Sequence, residues 1–250
     1  MSRTSTMNSS LDGQIALVTG STRGIGRAIA GKLAAGGAKV AVHGRDDNEP
    51  AEALPPGSHL FKADLADASA TAGLVQAVET ALGPPDILVL NASIEFRQTW
   101  QTLTEEAMLA QAEVNLYSTM RLIRAVLPGM IARGRGRIIA IGSVQEYRPN
   151  DVHIFYAGTK VAQTNIILNL ARNTREPDIT FNVVQPGAIL TDRNRAVLAD
   201  ADFRKRVEEK IPLGRIGEAQ DCAGIVAFLC SPEASYINGA VLSVDGGMHL

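Results

Sequence analysis

Short apolar runs alternate with helical stretches along almost the whole chain, and this alternation limits what the chain can fold into. The run Ile15 to Gly20 (IALVTG) is followed by an alanine-rich helical stretch, Ile25 to Ala35, and then by a second run, Lys39 to Gly44 (KVAVHG). A switch from strand to helix and back is typical of a βαβ unit, whose parallel strands are buried on both faces.

Five more runs of this kind follow along the chain. They are HLFKAD at 59–64, DILVLN at 86–91, GRIIAIGS at 136–143, ITFNVVQPG at 179–187 and AVLSVDGG at 240–247. We therefore predict an α/β protein with a single-domain Rossmann fold, in which a doubly wound seven-stranded parallel sheet is flanked by helices. The domain is expected to span residues 11–250, after a flexible Ser/Thr-rich segment at 1–10.

Charge and composition narrow the possible partners. The chain is 46% hydrophobic and 20% charged, with a formal net charge of -2. Such a balance offers no field for nucleic acid or an anionic membrane, and no apolar segment has the length of a signal peptide or a membrane span. Cys222 and Cys230 lie in one helical stretch without a metal-ligand spacing, so we expect buried thiols, no metal and a cytoplasmic protein.

The turn after the first run is rich in glycine. It reads TGSTRGIG and contains Gly20, Gly24 and Gly26. In a doubly wound sheet, such a turn lets backbone N–H groups approach a pyrophosphate, which lies on the positive N-terminus of the next helix. A glycine turn by itself also fits a purely structural connection between strand and helix, so further motifs must decide.

A second motif lies in the second half of the chain, where YAGTK places Tyr156 and Lys160 one helical turn apart. Hydride transfer at a carbinol carbon requires an acid or base close to the oxygen. A neighbouring ammonium favours the phenolate of a tyrosine, so this pair suits that task. Ser143 follows a strand at the sheet edge where ligands bind in open α/β folds.

Together these motifs resemble those of the short-chain dehydrogenase/reductase family, whose glycine motif is TGxxxGxG, and the resemblance runs from about Leu11 to the SVDGG of 243–247. It implies that Tyr156 is the proton donor and acceptor and that Ser143 binds the substrate oxygen. It also implies that Lys160 holds the nicotinamide ribose and that Asn115 continues a proton relay through a bound water.

The resemblance further implies a nicotinamide dinucleotide as cofactor. The expected cofactor-binding residues are Gly20, Ser21, Thr22, Arg23, Gly24, Ile25, Gly26, Arg45, Asp64, Leu65, Asn91, Ala92, Tyr156, Lys160, Pro186, Gly187, Ile189 and Thr191. The chain departs from the family's usual NNAG motif at Leu90 and Ser93, and Gln185 stands where the family often has Asn.

The end of the second run predicts which dinucleotide is bound. Gly44 occupies the position at which an acidic residue would bind the ribose hydroxyls of NAD, and Arg45 follows it. Arg45 and Arg23 suit the 2′-phosphate of NADP because a guanidinium binds phosphate bidentately. We therefore expect NADP(H), with NAD(H) as the alternative since Asp46 and Asp47 would offset these charges.

Substrate pockets in this family are built from loops, which here are expected around 93–103, 144–155 and 188–212. Polar candidates in these loops are Glu95, Gln145, Glu146 and His153. They favour a polar or sugar-like ketone or secondary alcohol as the small-molecule substrate. The alternatives are that the acidic and amide residues form a solvated rim and that His153 is structural.

Two further hypotheses remain open at this point. One is a 3-oxoacyl-[acyl-carrier-protein] reductase, for which Arg121, Arg124 and Arg172 would form a docking patch. The other is a non-catalytic dinucleotide sensor, which is less compatible with an intact Tyr156 and Lys160. The resemblance also implies a homotetramer.

Overall fold

The computed structural model describes residues 11–45, 53–192 and 194–250. The segment 1–10, predicted to be flexible, therefore lies outside the described residues, as do Asp46 and Asp47. The strands of the main sheet are β1 (Ile15–Val18), β2 (Lys39–Gly44), β3 (Ser58–Lys62), β4 (Ile87–Leu90), β5 (Gly136–Ile141), β6 (Ile179–Pro186) and β9 (Val241–Val244). Each of the seven runs picked out in the sequence thus forms a strand.

The main sheet has seven strands in the order β3-β2-β1-β4-β5-β6-β9. All neighbouring pairs are parallel, which confirms the doubly wound Rossmann fold. The strand order reverses between β1 and β4. In sheets of this kind the crevice at the carboxyl ends of the strands, at the point of reversal, is where ligands bind.

Helices cover both faces of this sheet. They are α1 (Gly24–Ala35), α2 (Ala68–Ala81), α3 (Glu105–Ala112), α4 (Ser118–Arg133), α5 (Ile154–Asn173), α6 (Ala201–Glu208) and α7 (Ala219–Cys230). Apolar residues of α1 and α7 pack on one face, and those of α2, α4 and α5 pack on the other. Every residue of β1, β4 and β5 is buried because both faces are covered.

A small second sheet lies beside the carboxyl end of β6, and the sequence pattern did not predict it. It pairs β7 (Ile189–Leu190) with β8 (Gly217–Glu218). Leu198, Ile211 and Ile216 form a separate apolar cluster next to it. This cluster holds α6 and the segment around it as a cover on one side of the crevice.

The fold also shows where the two cysteines lie and whether a membrane-spanning helix or a metal-binding group is present. Cys222 and Cys230 both lie on α7, and burial raises the pKa of each thiol to about 12, as expected for inert core cysteines. Among the described residues, no helix is long and apolar enough to cross a membrane. In the same part of the chain, His, Cys, Asp and Glu side chains form no group suited to a metal ion.

Candidate active site

A cavity of about 1230 Å³ lies at the carboxyl ends of the strands. It runs from the glycine turn and Arg45 at one end, past Tyr156, to Gln145 and His153 at the other. Nearly all predicted site residues line it. The exceptions are Ser21, Asn115 and Glu146, and each of them has a structural explanation given below.

The glycine turn leads from β1 into α1. Gly20 and Gly24 have φ angles of 61° and 57°, a conformation that side chains other than glycine rarely adopt. A Cβ added to Gly26 would lie 2.4 Å from the Gly20 carbonyl oxygen and 2.4 Å from Asn91 Nδ2. The first turn of α1 therefore approaches the end of β1 only because residue 26 is glycine.

The N-terminus of α1 has no side-chain cap. Its N-cap residue, Arg23, makes no capping hydrogen bond. The N–H groups of the first helical turn have no partner within the helix, and together with the helix dipole they form a site for an anion. A dinucleotide pyrophosphate would fit this position.

Asn91 and Thr19 hold the glycine turn against the end of β4. Asn91 Nδ2 donates to the carbonyl oxygens of Thr19 at 2.8 Å and Gly20 at 3.0 Å. In return, Thr19 Oγ1 accepts hydrogen bonds from the N–H groups of Asn91 and Ala92, both at 3.0 Å. The amide of Asn91 thus positions the turn through hydrogen bonds, so its role differs from that of a residue that only contacts the cofactor.

His43, near the end of β2, also supports this turn, although no sequence motif marks it. Its side chain is buried, with Nδ1 3.0 Å from the N–H of Gly20 and Nε2 3.0 Å from the carbonyl oxygen of Ala63. A carbonyl only accepts and an N–H only donates, so Nε2 carries the proton and Nδ1 accepts. Only a neutral imidazole can make both hydrogen bonds. Burial lowers the pKa of His43, which also favours the neutral ring.

Ser21 is expected to contact the cofactor, and the structure shows its side chain bound within the protein. Its hydroxyl donates to the Val18 carbonyl at 2.6 Å and accepts from the His43 N–H at 3.0 Å. The side chain is buried and does not line the cavity. The hydroxyl therefore holds the turn to β2, and its proton is used within the protein.

The adenosine end of the cavity is lined by Arg23, Arg45, Asp64 and Leu65. A Cβ added to Gly44 would lie 2.6 Å from Thr22 Cγ2. An acidic side chain at position 44 would therefore require Thr22 to move. The exposed guanidinium groups of Arg23 and Arg45 line this end of the cavity, as the sequence predicts for a protein that binds NADP.

The nicotinamide end lies between β6 and β7, where Pro186, Gly187, Ile189 and Thr191 all line the cavity. Asn194, which no sequence motif marks, holds the segment from Ile189 to Thr191 in place. Its Oδ1 accepts from the Thr191 N–H at 2.9 Å, and its Nδ2 donates to the Ile189 carbonyl at 2.7 Å.

Tyr156 and Lys160 lie on the first turns of α5, with 7% and 1% of their surfaces exposed. Lys160 Nζ lies 5.9 Å from the centre of the Tyr156 ring. It donates to the Ile141 carbonyl at 2.8 Å and to Gln163 Oε1 at 3.1 Å. The ammonium group is therefore buried and held close to the phenol ring.

Asn115 lies behind the cavity, in a π-helical turn (Glu113–Tyr117) that interrupts the helix between α3 and α4. Such turns are frequent at functional sites. Its Nδ2 donates to Thr159 Oγ1 at 3.1 Å and to the Ile94 carbonyl at 2.9 Å. Its side chain thus links α5 to the segment after β4.

Protein groups connect Asn115 to Lys160. From Lys160 Nζ the path runs to Gln163 Oε1, from Gln163 Nε2 to Thr119 Oγ1 at 2.8 Å, and from Thr119 Oγ1 to the Asn115 carbonyl at 3.0 Å. We expected a bound water between the asparagine and the lysine. Gln163 and Thr119 join the two residues through hydrogen bonds between protein groups, and the bound water stays a prediction.

Ser143 follows β5 and caps a 3-10 turn (Val144–Glu146). Its hydroxyl accepts from the Gln145 N–H at 3.2 Å, and its own N–H donates to Glu146 Oε1 at 2.9 Å. The hydroxyl lines the cavity and keeps its proton for a ligand. Ser143 is thus both the structural cap of this turn and a candidate catalytic residue.

Glu146 is predicted to contact the substrate, and the structure places its carboxylate against the end of β5. A Cβ added to Gly142 would lie 2.4 Å from Glu146 Oε1, so the carboxylate packs against the backbone of residue 142. Burial raises the pKa of the Glu146 carboxyl, partly offset by the Ser143 N–H and the Lys160 charge. Glu146 therefore positions Ser143, whereas its neighbour Gln145 lines the cavity.

The predicted substrate residues Glu95, Gln145 and His153 come together at the far end of the cavity. His153 Nε2 lies 3.7 Å from Glu95 Oε1, and the His153 and Tyr156 rings have centroids 6.2 Å apart. Asn150 and Asp151 line the same end. Polar side chains thus line this end of the cavity together with the apolar Ile94, Phe96 and Val152, close to the candidate catalytic tyrosine.

Comparisons with known proteins agree with this site. A family model described as enoyl-(acyl carrier protein) reductase matches residues 20–249. The chain is 40% identical to the 3-oxoacyl-[acyl-carrier-protein] reductase FabG of Escherichia coli (strain K12) over 242 residues, which are 96% of this chain and 98% of the relative.

Two solved structures extend the comparison. A 3-oxoacyl (acyl-carrier-protein) reductase from Agrobacterium tumefaciens C58 with NADP bound has a TM-score of 0.91 and 35% identity, covering 98% of each chain. A gluconate 5-dehydrogenase from Burkholderia cenocepacia J2315, in complex with NADP and tartrate, has a TM-score of 0.88 and 33% identity, covering 96% of this chain and 97% of that one.

The fold and these relatives define a nicotinamide-dependent oxidoreductase that acts on carbonyl or alcohol groups. The chain belongs to the short-chain dehydrogenase/reductase family. An enzyme of this class does not fit the hypothesis of a non-catalytic sensor.

The dual hydrogen bonding of His43 predicts that cofactor affinity depends on it. We expect His43→Phe, which keeps a ring but removes both bonds, to weaken NADPH binding about 10-fold, since each lost bond leaves a buried polar group unpaired. Fluorescence titration of NADPH measures this. The matched control is His59→Phe on β3, whose side chain is exposed and lies outside the cavity.

The same bonding predicts a pH dependence with a defined sign. Because burial lowers the pKa of His43 in the folded protein below its unfolded value of 6.5, the folded state favours neutral imidazole. The stability contributed by this residue is present above pH 6.5 and is lost as the pH falls towards the folded pKa. Urea unfolding from pH 7.5 down to 5 should show a loss that His43→Phe reduces; equal losses in both proteins would contradict this role.

Proposed function

We propose that the protein is an NADPH-dependent reductase of a polar, hydroxylated ketone, which in the reverse direction oxidises the corresponding secondary alcohol. The observation that carries this proposal is the polar end of the cavity beside Tyr156. It is lined by Glu95, Gln145, Asn150, Asp151 and His153. A hydroxylated ketone can form hydrogen bonds with these groups, whereas an apolar ketone cannot.

The residues of the chain have complementary tasks in this reaction. When bound, NADPH supplies the hydride that reduces the carbonyl carbon. The Ser143 hydroxyl donates a hydrogen bond to the carbonyl oxygen and stabilises the negative charge that develops on it. The Tyr156 phenol gives its proton to that oxygen, and the Lys160 ammonium stabilises the resulting phenolate.

The experiment that tests this function is a panel of ketones assayed by NADPH oxidation. It contains keto-sugars, a keto-sugar acid, a steroid ketone and acetoacetyl thioesters. We expect the polyhydroxylated ketones to have the highest kcat/KM. Tyr156→Phe should lower kcat about 10²- to 10⁴-fold while NADPH still binds, because only the proton donor is removed. A clear preference for the steroid ketone would reject the proposal.

The choice of NADPH over NADH rests on Arg45 and Arg23 at the adenosine end of the cavity, and on NADP in both solved relatives described above. The Arg45→Ala variant should bind NADPH about 10- to 100-fold more weakly, because it loses a charge-assisted hydrogen bond to the 2′-phosphate. Its affinity for NADH should be unchanged. Arg175→Ala, an exposed arginine outside the cavity, is the control. Equal weakening of both dinucleotides would contradict a 2′-phosphate contact.

A 3-oxoacyl-[acyl-carrier-protein] reductase is the second candidate, and the 40% identity to FabG favours it. In addition, Arg97, Arg206 and Lys210 line the cavity with exposed side chains that make no ion pair with the described residues. The docking patch considered from the sequence is weaker, since Arg121 is bound to Glu113 at 2.8 Å. Higher kcat/KM for acetoacetyl-[acyl-carrier-protein] than for every keto-sugar would establish this candidate.

We also propose a homotetramer. Apolar side chains on the outer surfaces of α3, the π-helical turn and α5 are about half exposed, namely Leu109, Tyr117, Ile154 and Val161. Burying them between copies of the chain would stabilise an assembly. Light scattering should therefore report the mass of four chains, and a monomer at micromolar concentration would contradict the proposal.

A further inference from the structure

The geometry of its loop fixes which tautomer the neutral ring of His153 adopts. Asn150 Oδ1 accepts from the Val152 N–H at 3.1 Å, so this atom of Asn150 is the acceptor oxygen. His153 Nδ1 lies 2.8 Å from the same oxygen and must therefore carry the proton. In neutral imidazole the other nitrogen, Nε2, is then a hydrogen-bond acceptor, and it makes no hydrogen bond within the described part of the chain.

A second acceptor lies beside Nε2. Glu95 Oε1 is 3.7 Å away, which is too long for a direct hydrogen bond, and the two side chains are only 10% and 20% exposed. An ionised carboxylate accepts at both of its oxygens, so contacts elsewhere leave capacity for a ligand. Both residues line the cavity, and the His153 ring lies 6.2 Å from the Tyr156 ring, centre to centre.

Two acceptors at this separation are complementary to two O–H donors on adjacent carbon atoms. We propose that His153 and Glu95 form a subsite for two neighbouring hydroxyl groups of an open-chain polyhydroxy ketone, next to the carbon that is reduced. This inference rests on the proposed function and makes it more specific. One hydroxyl donates to His153 Nε2 and the other to the Glu95 carboxylate, so the pair selects substrates and takes no part in the proton transfer.

A series of four-carbon ketones tests the subsite. 2-Butanone has no hydroxyl, 3-hydroxy-2-butanone has one, and erythrulose has three, of which those on C3 and C4 form the neighbouring pair. His153→Asn keeps an N–H for Asn150 and removes the Nε2 acceptor, while Glu95→Gln keeps the shape and removes the charge. Each variant should lower the ratio of kcat/KM for erythrulose to kcat/KM for 2-butanone about 10-fold, mainly through a higher KM for erythrulose.

Controls separate this role from a structural one. His59→Asn makes the same substitution at an exposed position of β3 and should not change kcat/KM for any of the three ketones. NADPH affinity should be unchanged in every variant. An equal loss of kcat/KM for all three ketones would mean that His153 and Glu95 only hold the loop before α5. An unchanged kcat/KM for all three would mean that the two side chains form an ion pair and bind no ligand. Either result overturns the subsite.

Failure of the proposed function has a different signature. If the wild type reduces no ketone of the series, the binding of erythritol, a four-carbon polyol without a carbonyl, is measured from the fluorescence of the enzyme-NADPH complex. Binding by the wild type that both variants weaken about 10-fold would support the subsite even then. No binding of erythritol would overturn it.

Discussion

The close approach of α1 to the end of β1 is the constraint on which the rest of the site depends. Gly26 permits it, because any side chain there would collide with the Gly20 carbonyl and with the amide of Asn91. The approach places the uncapped helix N-terminus over the end of the sheet. Since β1 and β4 flank the reversal of strand order, the same contact also sets where the cavity opens.

Hydrogen bonds between neighbouring strand ends turn this contact into a rigid frame. Asn91 and Thr19 tie β4 to β1, and His43 ties β1 to β2 and β3 through Gly20 and Ala63. On the substrate side, a path through Gln163 and Thr119 joins Lys160 to Asn115. A site preorganised in this way does not have to reorganise during the reaction, which favours catalysis.

Polar residues that face away from the cavity have a large share in this organisation. Ser21 and Glu146 were expected to meet ligands, yet each of them satisfies backbone groups next to a residue that does line the cavity. Glu146 in particular accepts the N–H of Ser143 in a partly buried position, where burial raises its pKa. Residues of this kind influence the chemistry by fixing the orientation of their neighbours, and replacing them would disturb the site without removing a reacting group.

The sequence by itself determined the seven strands, the glycine turn and the places of Ser143, Tyr156 and Lys160, because hydrophobic periodicity and short motifs are local in the chain. It did not determine which way Ser21 and Glu146 point, nor the parts played by His43, Gln163 and Asn194. Their partners lie on other elements, such as Ala63 for His43 and Thr119 for Gln163. Only the tertiary structure decided these roles, since a buried polar group takes the orientation in which its hydrogen bonds are satisfied by residues far away in sequence.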